Sequence, residues 1–192
     1  MKVAIIRHGE TENNKLEVFQ SPMEGQLTKE GIEGAEKLGL RFKDEVFTII
    51  YSSDSKRAKD TVEKITQYHP GTPLEYVELL RERNCGALIG RPKSELDLDN
   101  LPADYETDTM MRVRAKEFKV TYLDPYKETD QYILISTHGA FSRMLMTELY
   151  ESPDKHPNNV GGISNTGVTE FEYFNDIGWE KTLDNDVSHL NK

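Results

Sequence analysis

Apolar and polar positions along this chain repeat with two different periods. Lys2 to Arg7 holds a short apolar run, Val3-Ala4-Ile5-Ile6, with β-branched residues, and predicts a buried strand. From Leu27-Thr28 the period lengthens. Ile32, Ala35, Leu38 and Phe42 recur at helical spacing, which predicts a helix capped by Thr28 and ending near Asp44. Val46 to Tyr51 reads as a second strand, closed by Ser52-Ser53. Ser55 is placed to cap a helix carrying Ala58, Val62, Ile65 and Tyr68 on one face, and Pro70-Gly71 stops it. Leu74 to Leu80 has room for a short strand. Met111, Ala115, Phe118 and Tyr122 give Asp108 to Tyr122 a helical period. Tyr132 to Ser136 is a third clear strand, Ala140 to Tyr150 a helix, and Val168 to Phe174 a last, alternating strand. Strands that alternate with helices predict an α/β layered fold.

Composition narrows the class. A chain of 192 residues is expected to form one domain, 1–192, with a short variable insertion at about 90–110. The single cysteine, Cys85, excludes an intramolecular disulfide framework and a multi-cysteine metal site. The charge is 24 − 34 = −10, which argues against nucleic acid and anionic membrane as partners. No stretch approaches the ~20 apolar residues of a membrane span. The N-terminal apolar run is too short for a signal-peptide core. A cytoplasmic protein with a reduced thiol is expected, and its oligomeric state stays open. Glu95 to Asp108 carries six acids and no base. That segment reads either as a solvated insertion or as a lid that sets specificity.

Candidate chemistry gathers where strands end. In open α/β sheets, ligands bind beyond the carboxyl ends of the strands. Arg7-His8-Gly9-Glu10-Thr11 falls at such an end. There an imidazole can attack phosphorus, a guanidinium can grip two oxygens, and Gly9 lets the backbone turn close to a ligand. Arg57 falls in the first turn of the helix after the second strand, where the macrodipole does not favour a cation. It points either to an anionic ligand or to a surface salt bridge. Thr137-His138-Gly139 repeats the His-Gly pattern at the third strand, a coincidence that packing alone does not explain. Glu82 between Arg81 and Arg83 reads either as part of an exposed charge cluster or as a general acid for a leaving group.

These words, with Asn14, Leu27-Thr28, Gly31, Ser52-Ser53-Asp54, Arg57-Ala58 and Gly86, occur in the order of the histidine phosphatase superfamily, the phosphoglycerate-mutase-like clan. The chain resembles that family from residue 5 to about residue 170. The resemblance implies a three-layer α/β/α sandwich with a mostly parallel central sheet. It implies that His8 becomes a phosphohistidine and that Arg7, Arg57 and His138 hold the phosphoryl oxygens. Glu82 would protonate the leaving oxygen. Asn14, Arg83, Lys93 and Gly139 are further candidate substrate-binding positions. Asn165-Thr166 is similar to a turn that borders the pocket in relatives. No role falls to His189, and His69 and His156 read as surface residues.

Two activities compete within the clan. Glu82-Arg83, Gly86-Ala87-Leu88, Gly90, Lys93 and Glu95 resemble the substrate-binding stretch of cofactor-dependent phosphoglycerate mutases. Against a mutase, Asn13, Cys85 and Ala140 replace a tryptophan, a tyrosine and an asparagine. The segment between Glu82 and His138 is short, and Val113 splits Arg112 from Arg114. A phosphomonoesterase acting on small phosphorylated metabolites is therefore the expectation, with the mutase as alternative. An inactive binding module is disfavoured because all five core positions are kept. The histidines show no metal-ligand spacing, and neither a metal nor a cofactor is expected.

Overall fold

The computed structural model describes residues 1–20, 22–150 and 159–191. Six strands form one sheet: β1 (Lys2–Arg7), β2 (Ile49–Ser52), β3 (Leu74–Tyr76), β4 (Tyr132–Thr137), β5 (Val168–Phe174) and β6 (Gly178–Asp186). Their order across the sheet is β3-β2-β4-β1-β5-β6. Pairings from β3 through β1 are parallel, whereas β5 runs antiparallel to β1 and β6 antiparallel to β5. The helices are α1 (Glu12–Lys15), α2 (Lys29–Phe42), α3 (Lys56–Thr66), α4 (Asp108–Phe118) and α5 (Gly139–Leu149).

Alternation along β1 explains the layering. Val3 and Ile5 join a core with Met111, Ala115 and Phe118 of α4 and Phe141, Leu145 and Leu149 of α5. Ala4 and Ile6 point the other way, into a core with Leu38 and Phe42 of α2 and Val62 and Ile65 of α3. Successive strand residues face opposite sides, so a strand covered on both faces must be apolar throughout. The three-layer α/β/α sandwich with a mostly parallel sheet is thus present.

Several local expectations needed correction. Val46 is 85% exposed, and β2 starts only at Ile49. Ile32 faces solvent because α2 turns Gly31, Gly34 and Gly39 inward along with Ala35 and Leu38. Tyr68 lies beyond the end of α3 and is partly exposed. Helix α4 ends at Phe118, and a wider π turn carries the chain on from Lys119 to Leu123. His69 is buried rather than on the surface, because the turn after α3 tucks its ring edge-on against Phe47, 5.2 Å between centroids. His156 lies outside the described residues. Strand β6 escaped the periodic reading. It is an edge strand dominated by polar residues, and two register shifts break its pairing with β5.

Candidate active site

Strands β2, β4 and β1 are neighbours and end on the same edge. The His8 N–H donates to the Thr137 carbonyl at 3.0 Å, and the Ser53 N–H to the Ser136 carbonyl at 2.9 Å. The three post-strand segments that carried the sequence signals therefore emerge side by side. Backbone packing tightens the arrangement. A methyl at Gly9 would lie 2.5 Å from the Gly31 carbonyl oxygen, and one at Gly31 would overlap the Glu10 carbonyl oxygen. Both glycines are needed for the loop after β1 to press against the start of α2. Thr28 caps that helix, accepting from the Gly31 N–H at 2.9 Å.

His8 is 2% exposed. Its Nδ1 lies 2.7 Å from the Gly9 carbonyl, so Nδ1 carries the proton and donates. Nε2 then holds a lone pair, which accepts from Arg57 Nε at 3.2 Å. Burial pushes the His8 pKa well below the ordinary imidazole value, and the charges on Arg57 and Arg7 push it further. At neutral pH this histidine is uncharged. His138 is neutral for the same reasons, burial first and then Arg57. Its Nε2 lies 2.9 Å from Ser53 Oγ and 3.3 Å from Ser55 Oγ. Ser55 makes no side-chain cap to α3; its hydroxyl turns to the histidine instead. The two imidazole rings stand 5.1 Å apart.

Arg57 is fully buried at the start of α3, which rules out the surface salt bridge. Burial and Arg7 lower its pKa to about 10, with Glu82 opposing. Its guanidinium also donates to the Glu24 carbonyl. Arg7 donates to the Ile163 carbonyl at 3.2 Å, while its Nε is buried with no partner. His138 Nδ1 is likewise buried and unpaired. Glu82 is not part of an exposed charge cluster. Its carboxylate accepts from the N–H groups of Ala140 (3.1 Å), Phe141 (3.1 Å) and Arg83 (2.9 Å), so it sits on the N-terminal turn of α5.

Around these groups lies a cavity of about 350 Å³. Its wall holds Arg7, His8, Arg57, Glu82, Asn14, Arg83, Lys93 and Gly139, so these expected site residues converge; His138 is buried next to the wall, its ring 5.1 Å from that of His8. Arg83 is not free there: it pairs with Asp108 and donates to the Glu106 carbonyl at 2.9 Å. Phe19, Gln20, Tyr105 and Arg143 also line the cavity and were missed. No local word marks the first three. Arg143 was within reach, since it lies one helical turn after the His-Gly pair.

The acidic segment splits. Glu95, Asp97 and Asp99 are exposed. Asp104 accepts from the Ala87 N–H at 3.1 Å, and Glu106 binds Arg114 at 2.7 Å. Tyr105, not an acid, reaches the cavity. Arg112 pairs with Glu148 at 2.6 Å, and neither it nor Arg114 lines the cavity. The turn at Ser164–Gly167 does border the site. Asn165 Nδ2 donates to the His8 carbonyl at 2.9 Å and to Asn14 Oδ1 at 3.3 Å, and the Thr166 N–H donates to the Arg7 carbonyl at 3.0 Å. His189 is buried and lies 3.2 Å from Thr166 Oγ1. Among the described residues no helix is long and apolar enough to cross a membrane, and no group of three or more His, Cys, Asp or Glu could hold a metal ion.

Known proteins resemble this chain in sequence and fold. A probable phosphatase of Schizosaccharomyces pombe is 30% identical over 181 residues, covering 90% of this chain and 87% of the relative. The structure of Bacillus stearothermophilus YhfR superposes with a TM-score of 0.85 at 27% identity, covering 98% of both chains. Phosphoserine phosphatase from Entamoeba histolytica, solved with 3-phosphoglyceric acid, gives 0.80 at 27% identity, again over 98% of both chains. Residues 3–186 match the family described as the histidine phosphatase superfamily, branch 1, and the chain belongs to that family.

Proposed function

We propose that the protein is a cytoplasmic phosphomonoesterase that hydrolyses small phosphorylated metabolites through a phosphohistidine on His8. The observation that carries this reading is the state of His8: neutral, its proton fixed on Nδ1, its Nε2 lone pair beside a buried guanidinium on the cavity wall. Two further observations support it. Arg7 Nε and His138 Nδ1 are buried without partners, and buried polar atoms are normally paired. Phosphoryl oxygens would pair them. Phosphatases also stand among the named relatives on both sequence and structure.

The chemistry follows in two steps. The ester's non-bridging oxygens rest on Arg7, Arg57 and His138. His8 Nε2 bonds to phosphorus as the P–O ester bond breaks, and Glu82 gives its proton to the departing oxygen, so an alcohol leaves. A water molecule then attacks phosphorus while the Glu82 carboxylate takes its proton. The N–P bond breaks, inorganic phosphate departs, and His8 regains its lone pair. Arginines supply the positive charge that stabilises the transferring group, so the sequence of steps calls for no metal.

The mutase alternative has one observation in its favour: Arg83 and Lys93 both line the cavity. Arg83 is already tied to Asp108, and Arg112 and Arg114 are bound elsewhere. A single assay separates the readings. Incubation with 3-phosphoglycerate, primed with 2,3-bisphosphoglycerate, should release inorganic phosphate with little 2-phosphoglycerate. Mutase turnover well above phosphate release would reverse the assignment. Labelled enzyme should hold phosphate through alkali and lose it in acid, His8→Ala should take up no label, and a chelator should leave the rate unchanged.

A further inference from the structure

We propose that His189 is a positioning residue for the active site: its ring fixes Thr166 in the conformation from which the turn at Ser164–Gly167 holds the carbonyls of Arg7 and His8. The proposal rests on the phosphohistidine reading and adds to it a residue from the far end of the chain.

His189 enters the protein from a short terminal turn, Ser188–Asn191. One face of α2 draws that turn in. Gly34, Lys37 and Arg41 lie at helical spacing and share that face. Lys37 Nζ donates to the Leu190 carbonyl at 2.9 Å, and Arg41 binds the Asp186 carboxylate at 2.7 Å. A methyl at Gly34 would crowd the Thr166 side chain at 3.3 Å, so the glycine lets Thr166 settle against the helix. His189 and Thr166 are both buried there.

The ring has one arrangement of protons. Arg41 Nη1 lies 3.5 Å from Nδ1, and a guanidinium can only donate, so Nδ1 accepts. Nε2 then carries the hydrogen and donates to Thr166 Oγ1 at 3.2 Å. Burial, with Arg41 contributing, brings the pKa to about 4, so this neutral form is the one present at pH 7.

Thr166 needs that anchor. Its φ is 56°, a left-handed value that a β-branched residue rarely adopts and that persists where the surroundings impose it. From this conformation its N–H donates to the Arg7 carbonyl at 3.0 Å and lies 3.4 Å from the His8 carbonyl. Asn165 Nδ2 donates to the same His8 carbonyl at 2.9 Å. Toward β4, the His8 N–H donates to the Thr137 carbonyl. The end of β1 is thus held from two sides, and His189 stands behind one of them. Loosening that side would misalign His8 Nε2 with phosphorus and slow bond formation while leaving the groups that bind the ester in place.

Single-turnover kinetics on p-nitrophenyl phosphate test this. His189→Ala should slow phosphoenzyme formation at saturation by about 10- to 100-fold, with the half-saturating concentration within about threefold of wild type. His189→Gln keeps an N–H for Thr166 and an oxygen for Arg41, and should recover most of the rate. Thr166→Val keeps the β-branched shape and removes the acceptor. It should reproduce the His189→Ala loss, and the double variant should be no slower than either single one. Thermal melts verify folding at the assay temperature, and Thr166→Val decides alone if His189→Ala does not fold. An unchanged rate in Thr166→Val, a loss that falls on the half-saturating concentration, or losses that multiply in the double variant overturn the positioning role while His8 still takes up label. Wild type that takes up no label on His8 brings down the phosphohistidine reading and this role with it.

Discussion

Glu82 sits between two arginines in the sequence and pairs with neither through its carboxylate. Arg81 binds Asp54, Arg83 binds Asp108, and the Glu82 oxygens go to three backbone N–H groups. This distinction was beyond the sequence, because two of those N–H groups, of Ala140 and Phe141, belong to α5 and reach Glu82 only through the fold. It also shapes the test of the acid. Glutamine offers one carbonyl oxygen where the carboxylate uses two, so its amide nitrogen must face an N–H donor. Glu82→Gln should slow cleavage of alkyl phosphates by about 10²–10⁴-fold. Cleavage of p-nitrophenyl phosphate to the phosphoenzyme should slow less, because its leaving group needs little protonation. Single-turnover rates for both substrates decide the matter, and equal losses would remove Glu82 from the role. His8, Arg57 and His138 were legible because a post-strand His-Gly or an arginine in a first helical turn has few structural uses.

At the scale of elements, one turn after residue 162 joins the end of β1 to the C-terminal segment. It holds the Arg7 guanidinium through the Ile163 carbonyl and the backbone of Arg7 and His8 through Thr166 and Asn165. On its other side, Asn185 Oδ1 accepts from the Ser164 N–H at 2.7 Å, and His189 reaches Thr166. Thr166 and Asn185 both have positive φ, 56° and 43°. Such values are uncommon without glycine and persist where surroundings enforce them. Asn185→Ala removes the side-chain acceptor, and the turn should loosen. The expected result is a fall in kcat larger than any rise in KM, visible in steady-state kinetics, with a modest drop in melting temperature. Unchanged kcat would show that the turn holds itself. The central strands and α2 to α5 were readable because burial imposes their periods. Strand β6 and its bracing residues were not, since an edge strand with one polar face carries no comparable pattern.

For the whole molecule, buried histidines set the acid limit of stability. Burial lowers the pKa of His8, His138 and His69, and it brings His189 to about 4 with Arg41 contributing. An unfolded histidine titrates near 6.5. Between these values the unfolded chain binds more protons, so this stabilisation is full above about pH 6.5 and is lost as pH falls. Melting temperatures should decline from pH 7 toward pH 4, less steeply in His189→Gln; a flat profile from pH 7 to pH 5 would contradict this. The central place of β1 has a consequence of another kind. β1 pairs only with β4 and β5, both made after it on the ribosome, and Lys2 meets its partner at Tyr132. At ordinary rates of translation, on the order of ten seconds pass before that partner exists. Throughout that interval Val3 to Ile6 has neither neighbour strand, and the nascent chain must be kept from sticking to others by whatever binds it as it emerges.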